Sequence, residues 1–497
     1  VSTAVTGGFL RIVVRTAASP KIGSGHVARV AAVVSELGRM GAEVHWACDA
    51  DTVPFLLERG IDAGQIHILR QAATAGRFGE SEESEPTQII DAKETKAIAS
   101  AECVVVDSYQ LGSAWQHEMR SAGVRIATFD DLADRRIHAD LVINAAAGPD
   151  AYVTWAPQAR VLSGLPYAII GDPSRPGAAG PGTLLLAFGA ADPGNLTLAT
   201  LRALADARIG HAGHVPQTVI QLGSGAAHRT HVEQALLGMP WAKFAPIGPT
   251  SPGTPTLAIG SAGVGLLERM HAGVPSVVVL AAENQRALAD VAVRTGAAIA
   301  VTSAASACAE ALRLLGETDT LARMSAAGRA SVDGGGAARV ARELNRLVGV
   351  NLRRATMSDA RLLLRWRNDP SVRAVSHTTG EILWDTHIRW LESALARDDR
   401  HVLIAERHGR PVGTVRFDVS GDCATVSIAV EPTLQGTGLG PAILDAGDAW
   451  LHANDSRVRR CRAEIRAGND ASARAFIAAG YLKGPDAYDR SVGRRTE

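Results

Sequence analysis

The sequence predicts an α/β protein: two doubly wound, parallel-sheet lobes followed by a smaller mixed α+β domain. Three observations predict it. Short β-branched runs alternate with helical stretches from residue 10 onward, and several runs end in a glycine turn. A Pro/Gly-rich segment, GDPSRPGAAGPG at 171–182, divides that series as a natural hinge. Near residue 351 the rhythm changes to hairpin-like strands, a glycine loop and a helix. The expected domains are 1–165, 166–350 and 351–497.

In the first lobe LRIVVRT reads as a buried strand, and VARVAAVVSELGRMG as a helix stopped at Gly41. AEVHWACD, ECVVVDSY, RIATFDD and ADLVINAA read as further strands, with DAKETKAIASA as a helix between two of them. The polar, acidic stretch 75–88 reads as a surface loop. In the second lobe TLLLAFGAADPGNL reads as strand, glycine turn and helix, and HVPQTVIQLGSG as a strand with its turn. TLAIGSAGVGLLERMHAGVP and SVVVLAAENQ continue the pattern. In the third part VGVNLRRATMSDARLLLRWRNDP opens a strand and a helix, and HVLIAERHGRPVGTVRFDV is a hairpin turning at HGRP. ATVSIAVEP is a strand, QGTGLGPAILDAGDAWLHA a glycine loop entering a helix, and CRAEIRAGNDASARAFIAAGYLK closes the domain.

At 497 residues the chain exceeds one ordinary domain. Lys+Arg and Asp+Glu both number 51, so no basic excess suggests a nucleic-acid partner. No apolar run reaches membrane-spanning length, and VSTAVTGGFLR lacks the pattern of a secretory leader. Neither nucleic acid nor membrane is an expected partner. The five cysteines are scattered without a CxxC pair, which suggests neither a zinc site nor a disulfide framework. The expected location is the cytoplasm.

IGSGHVARV, residues 22–30, sits on the turn between the first strand and its helix. In an open parallel sheet that turn lies at the carboxyl end of the strand, where ligands bind. Glycines admit a ligand to the backbone, and the helix N-terminus offers N–H groups to an anion. The full dinucleotide pattern is absent, because position 28 is Ala. His26 at the helix start reads either as a catalytic group or as a plain cap.

Taken in order, IGSGHVARV, VVVDSYQLG, FDDLADRRIHADLVIN, LSGLPYAII, AFGAADPGNLT and GSAGVGLLERMHAGVPSVVVLAAENQ resemble the UDP-sugar hydrolases of pseudaminic acid biosynthesis. The resemblance spans nearly all of residues 10–300. It implies two Rossmann-like lobes in the GT-B arrangement and metal-independent release of UDP from UDP-2,4-diacetamido-2,4,6-trideoxy-β-L-altrose, with water in place of a sugar acceptor. It implies that His26 is the base that takes a proton from that water. It further implies that Gly23, Gly25, Arg29, Arg15, Tyr167, Gly189, Ser261, Gly263, Glu268, Asn284 and Gln285 bind the UDP-sugar. Glu268 would accept from the ribose hydroxyls, a fit between one carboxylate and two vicinal donors. Backbone N–H groups near Gly189 and Gly263 would hold the diphosphate charge. The chain departs from the family at Ala17, where an acidic residue is usual, and at Gly171 and Asp172, where an arginine is usual. The nucleotide loop reads GVGL rather than GGTT, and the segment IGPTSPGTPTLAIG lacks the usual preceding helix. Asp107, or Asp130 and Asp131, stand as substitutes for the missing acid at Ala17.

QGTGLG at 435–440 resembles the pyrophosphate loop of GCN5-related N-acetyltransferases. The resemblance covers roughly 351–490 and includes the later run NDASARAFIAAGY. It implies acetyl-CoA as cosubstrate, held by Gln435, Gly436, Gly438, Gly440, Asn469 and Ser472. Many relatives place a tyrosine acid five residues before the final aromatic; here that position is Phe476, which cannot donate a proton. Glu431 and His377 are candidates to deprotonate the amine. Together the two resemblances imply a bifunctional enzyme that acetylates a UDP-4-amino-sugar and then hydrolyses it. A GT-B glycosyltransferase, an acetyltransferase for a protein N-terminus, and an enzyme for another diamino sugar are the alternatives.

Overall fold

The computed structural model describes residues 10–19, 23–70, 84–171, 182–210, 216–245, 256–280, 282–485 and 487–492. Most of the 171–182 hinge, the 75–83 part of the acidic loop and the 246–255 stretch lie outside the described residues. The chain forms two compact units, one of Arg11–Arg39 and Glu43–Ala341, the other chiefly of Arg342–Glu497.

The first unit holds two sheets. The first comprises β1 (Arg11–Thr16), β2 (Glu43–Cys48), β3 (Ile66–Ile68), β4 (Cys103–Asp107), β5 (Arg125–Phe129), β6 (Leu141–Asn144) and β7 (Arg160–Ser163). They are parallel, in the order β3-β2-β1-β4-β5-β6-β7. Helices α1 (Gly25–Arg39), α2 (Val53–Leu57), α3 (Glu85–Lys96) and α4 (Ser113–Ser121) connect them. Every residue of β4 is buried, as a parallel strand covered on both faces requires.

Helix α3 differs from the sequence expectation, which placed a loop to residue 88 and a helix from 91. Pro86 occupies a first-turn position, where its fixed φ suits a helix start. The buried face of α3 is Gln88, Asp91, Ala92 and Thr95, so the usual apolar periodicity is missing.

The second sheet comprises β8 (Thr183–Ala187), β9 (Gln217–Ile220), β10 (Ala242–Phe244), β11 (Leu257–Gly260), β12 (Ser276–Val279) and β13 (Ala298–Val301). It is parallel, in the order β10-β9-β8-β11-β12-β13. Its helices are α5 (Leu196–Gly210), α6 (Arg229–Leu236), α7 (Val264–Ala272), α8 (Arg286–Arg294), α9 (Ala304–Leu315) and α10 (Thr318–Ser331); α11 (Gly336–Val348) begins in this unit, and from Arg342 onward it belongs to the second. A core of Leu184, Leu186, Ile220, Leu257, Ile259, Val277, Leu201 and Leu314 joins the sheet to α5 and α9.

Strand order in both sheets reverses direction at one place: between β1 and β4 in the first, between β8 and β11 in the second. Connections leave these strand pairs toward opposite sides, which opens a crevice at their carboxyl ends. The loops after β1, β4, β8 and β11 therefore carry the candidate site.

The second unit contains β14 (Asn351–Arg354), α12 (Ala360–Asn368), α13 (Pro370–Ala374), α14 (Trp384–Leu395), β15 (Arg400–Arg407), β16 (Arg410–Ser420) and β17 (Cys423–Val430). These are followed by α15 (Leu439–Asn454), β18 (Arg460–Ala463), α16 (Asp470–Ala478), β19 (Leu482–Lys483) and β20 (Tyr488–Ser491). The sheet order is β14-β15-β16-β17-β18-β20-β19. All pairs are antiparallel except β17 with β18. The β15–β16 hairpin turns at His408 and Gly409, both left-handed at φ 48° and 72°, as a two-residue I′ turn requires. Alternate residues of β15 face opposite layers. Val402 and Ile404 pack with Trp366 and Leu391 of α12 and α14, while Leu403 and Ala405 pack with Ile443, Leu444 and Phe476 of α15 and α16.

The fold class is thus two Rossmann-like sheets followed by a mixed sheet flanked by helices. Among the described residues no helix is long and apolar enough to cross a membrane.

Candidate functional site

The register of β1 on β4 sets Thr16 beside Asp107, so the loops that follow start side by side. From the first loop α1 projects His26 and Arg29 one turn apart; from the second come Asp107 and Tyr109. His26 Nδ1 lies 2.6 Å from Asp107 Oδ1. Arg29 Nε donates to Asp107 Oδ2 at 2.6 Å, its Nη2 to Asp107 Oδ1 at 2.7 Å, and its Nη1 to Asp131 Oδ1 at 2.8 Å. The Tyr109 hydroxyl donates to Asp131 Oδ2 at 2.7 Å, and its ring meets His26 edge-on at 5.1 Å between centroids.

Charge follows from these contacts. Burial pushes the Asp107 carboxyl up, but Arg29 and His26 outweigh it and hold it well below the usual carboxylate range. Burial also opposes ionisation of Asp131, and Arg29 again wins, so its carboxyl sits low. Burial lowers Arg29, and the two aspartates more than restore it. Tyr109 is pushed up by burial and by Asp131, so its phenol keeps its proton. An ionised Asp107 can only accept, so when the ring carries a single proton that proton sits on Nδ1 and Nε2 is the bare nitrogen. The His26 side chain keeps 16% of its surface in solvent. The group can therefore take a proton from a molecule in the crevice.

The missing acid at Ala17 is accounted for. Ala17 is buried, and Asp107 is the carboxylate at the histidine. Asp130 instead accepts from the Tyr152 hydroxyl at 2.7 Å and from the Ala133 N–H at 2.7 Å, holding a turn. Arg15 requires a correction. Expected among the substrate-binding residues, it is fully buried and pairs with Asp91, Nη2 to Oδ2 at 2.8 Å. A strand residue of β1 faces a helix layer, and Arg15 faces α3 rather than the crevice.

The second lobe brings its own loops to the crevice. Gly189 follows β8 at φ 95°, and Ser261 and Gly263 follow β11, with Gly263 as N-cap of α7. Nothing stands where a Cβ would project from Gly189 or Gly263, so a ligand can lie against either backbone. The buried Arg269 donates from Nη2 to the Ser261 carbonyl at 2.9 Å, which fixes this loop. Burial pushes Arg269 down to about 10 against the opposing charge of Glu268.

Glu268 stands solvent-exposed on α7, yet the protein around it raises its carboxyl. The Gly171 N–H, 3.4 Å from Oε1, and the charges of Arg269 and Arg59 oppose that rise. The Gly171 N–H faces the Glu268 carboxylate directly. Gln285 Oε1 accepts from the Ala262 N–H at 3.3 Å. Asn284 Nδ2 donates to the Tyr109 hydroxyl at 3.2 Å and so joins the two lobes, while its Oδ1 is buried without a hydrogen-bond partner. Gly23, at φ 81°, is in van der Waals range of Ala191 across the crevice, where a Cβ would lie at 3.8 Å. Gly25 opens α1 with free space at its Cα. Tyr167 lies in the short turn Leu165–Tyr167, its main chain against Gly336.

Tyr109 and Arg59 were not singled out from the sequence. Tyr109 follows Asp107 by two residues at the carboxyl end of β4, which is the signal that marks it. Arg59 contacts Ser24 Oγ at 3.4 Å and feels the charge of Glu268. Among the described residues no group of three or more His, Cys, Asp or Glu is placed to hold a metal ion.

In the second unit the loop Gln435–Gly440 enters α15. Gly436 and Gly438 are left-handed, at φ 80° and 92°. Gly436 has open space at its Cα, whereas a Cβ at Gly438 would lie 2.5 Å from the Arg342 carbonyl oxygen. The Asn345 amide donates to the Thr437 carbonyl at 2.7 Å, and Arg346 Nε donates to Asp445 at 2.9 Å, so residues 342–346 of α11 brace the loop. An open glycine backbone leading into a helix N-terminus fits a diphosphate. β18 pairs with β17 in parallel at Cys423–Thr425. At Gly440, α15 packs against Ala475 of α16. Asn469 is the N-cap of α16, its Oδ1 accepting from the Ser472 N–H at 3.1 Å. Phe476 is buried edge-on against Tyr481 at 4.8 Å. Tyr481 is itself buried, and burial and Cys461 push its phenol up. Glu431 is tied to the Thr433 hydroxyl, and His377 is exposed.

Residues 350–481 match the family described as acetyltransferase (GNAT) domain. This part of the chain is a GNAT acetyltransferase domain. Solved structures that match parts of the chain include MurG of Acinetobacter baumannii, 18% identical, covering 68% of this chain and 99% of that one, with a TM-score of 0.48. The Vibrio cholerae spermidine N-acetyltransferase in complex with CoA and spermine is 10% identical, covering 29% of this chain and 96% of that one, with a TM-score of 0.27. The aminoglycoside acetyltransferase AAC(6')-Ib in complex with coenzyme A is 19% identical, covering 29% of this chain and 94% of that one, with a TM-score of 0.26. A search of curated proteins found no match.

Proposed function

We propose that the chain is a bifunctional enzyme acting on a UDP-linked diamino sugar, of the kind used in pseudaminic and related nonulosonic acid biosynthesis. The GNAT domain transfers an acetyl group from acetyl-CoA to the sugar's 4-amine, and the two lobes then hydrolyse the sugar–UDP bond. The observation that carries the second activity is His26 fixed by Asp107 at 2.6 Å on the loop after β1.

His26 Nε2 takes the proton of a water as that water attacks the anomeric carbon, and UDP departs with the bonding pair. Asp107 holds the tautomer and stabilises the imidazolium that forms, the role a buried carboxylate plays beside a catalytic histidine. The N–H groups near Gly189, Gly263 and the start of α7 receive the diphosphate charge, and Glu268 accepts from the ribose hydroxyls. In the GNAT domain the loop Gln435–Gly440 holds the CoA diphosphate and positions the thioester. The free amine attacks the thioester carbonyl and the C–S bond breaks; a water gives a proton to the departing thiolate, since Phe476 cannot, and takes in its place the proton that the amine nitrogen loses.

UDP release from the UDP-linked 4-amino-altrosamine precursor, with and without acetyl-CoA, tests both steps. Release only with acetyl-CoA, abolished in His26→Ala, is expected. Acetylation without UDP release would remove the hydrolase reading. Release that appears only when an acceptor sugar is added would make the lobes a glycosyltransferase.

A further inference from the structure

Helix α12 carries an arrangement that the acetyl-transfer machinery above does not use. Its inner face, Ala360, Leu363 and Trp366, packs against Leu391, Ala394, Val402 and Ile404. Its outer face presents Arg361, Leu364, Arg365 and Asn368, spaced i, i+3, i+4 and i+7 along one stripe. These four residues and Trp384, the first residue of α14, line a recess of about 510 Å³. Trp384 is 43% exposed, and the Arg361 guanidinium stands 5.9 Å from its ring centroid.

The stripe is costly without a ligand. Arg361 lies in the first turn of α12, where the helix dipole repels a cation, and Arg365 adds a like charge one turn away. Among the described residues neither arginine forms an ion pair or hydrogen bond. Placement in the last turn favours Arg365, and the Trp384 ring offsets part of the cost at Arg361. Asn368 is fully engaged, Nδ2 donating to the Ile382 carbonyl at 2.8 Å and Oδ1 accepting its N–H at 2.9 Å, so it shapes the recess rather than awaiting a partner.

An exposed flat ring beside two unpaired guanidiniums matches one chemistry: a planar base joined to an anion. Guanidiniums grip phosphate oxygens in a fork, and their spacing along the helix, about 6 Å for four residues, lets one diphosphate reach both. A polycationic acceptor would be repelled. We propose that this recess binds a nucleoside diphosphate, the handle of the acetyl acceptor. The assignment to the acceptor rests on the reading above that the sugar is nucleotide-linked. The recess lies in the α12–α14 layer, on the opposite face of the sheet from the α15 layer whose glycine loop takes the CoA diphosphate.

Calorimetric titration of the full chain with UDP under saturating CoA tests the proposal. Two equivalents are expected in the wild type. Arg361→Ala combined with Arg365→Ala should weaken one of them at least tenfold; both side chains are exposed, so folding is spared. Glu268→Ala should weaken the other equivalent alone. Spermidine should not bind the recess. If the double arginine variant binds UDP as the wild type does, or if CoA displaces UDP from the arginine-dependent site, the proposal is overturned. A single equivalent lost in the arginine variant but kept in Glu268→Ala would support the recess while refuting nucleotide binding by the lobes.

Discussion

His26 and Asp107, 81 residues apart in sequence, meet at 2.6 Å because β1 and β4 are neighbours in the sheet. The contact makes Asp107 a tautomer lock. Asp107→Asn would keep the shape but offer an amide N–H where Nδ1–H needs an acceptor, so the ring turns or changes tautomer. UDP-sugar hydrolysis should fall on the order of 10²–10⁴-fold in kcat, with KM far less affected. Acetyl transfer to the 4-amine, measured on the same preparation, should remain at the wild-type rate. Loss of both activities together would point to unfolding rather than to a lost lock.

Acid should weaken this corner in a defined window. The carboxyls of Asp107 and Asp131 sit below their ordinary value in the folded chain, chiefly through Arg29 once burial is overcome. Their stabilisation is therefore complete above the unfolded value, about pH 4, and is lost as pH falls below it. The protection factors of β4 and β5 amides against hydrogen exchange should fall below about pH 4 in the wild type. In Asp107→Asn the same amides should exchange faster at pH 7 and show a shallower acid dependence.

Much of the fold was legible because β-branched runs and glycine turns carry the βαβ rhythm directly. The site was legible only in part. The sequence left Asp107, Asp130 and Asp131 as equal partners for His26; strand order decides among them, since β4 borders β1 whereas Asp130 follows the more distant β5. Arg15 reads as a ligand group because it is charged and stands at a strand's end, while its partner Asp91 lies 76 residues away on a helix with no apolar stripe. Helix α14 was not assigned, although His387, Leu391 and Ala394 repeat at helical spacing on its buried face.

The glycine loop entering α15 separates two costs of losing a glycine. Both Gly436 and Gly438 are left-handed, so alanine at either strains the backbone by about 1 kcal/mol. At Gly436 the side chain would project into open space; at Gly438 it would strike the Arg342 carbonyl oxygen at 2.5 Å. Gly436→Ala should raise the KM for acetyl-CoA with a nearly unchanged melting temperature, because the new methyl occupies ligand space. Gly438→Ala should lower the melting temperature of the GNAT domain as well, by displacing the loop from residues 342–346.

The Arg15–Asp91 pair gives the sharpest stability test. Burial works against the Arg15 charge, and Asp91 more than compensates, so neither group tolerates loss of the other. Asp91 also accepts from the Trp115 indole N–H at 2.8 Å. Asp91→Ala should cost about 3–5 kcal/mol, because it strands a buried guanidinium. Arg15→Met with Asp91→Leu removes both charges and should recover part of that loss, the Trp115 N–H still lacking its acceptor, seen in urea unfolding of the full chain. The folded double variant also tests the correction to Arg15. If its KM for the UDP-sugar matches the wild type, Arg15 serves the core. A tenfold rise in KM at normal stability would return Arg15 to the substrate.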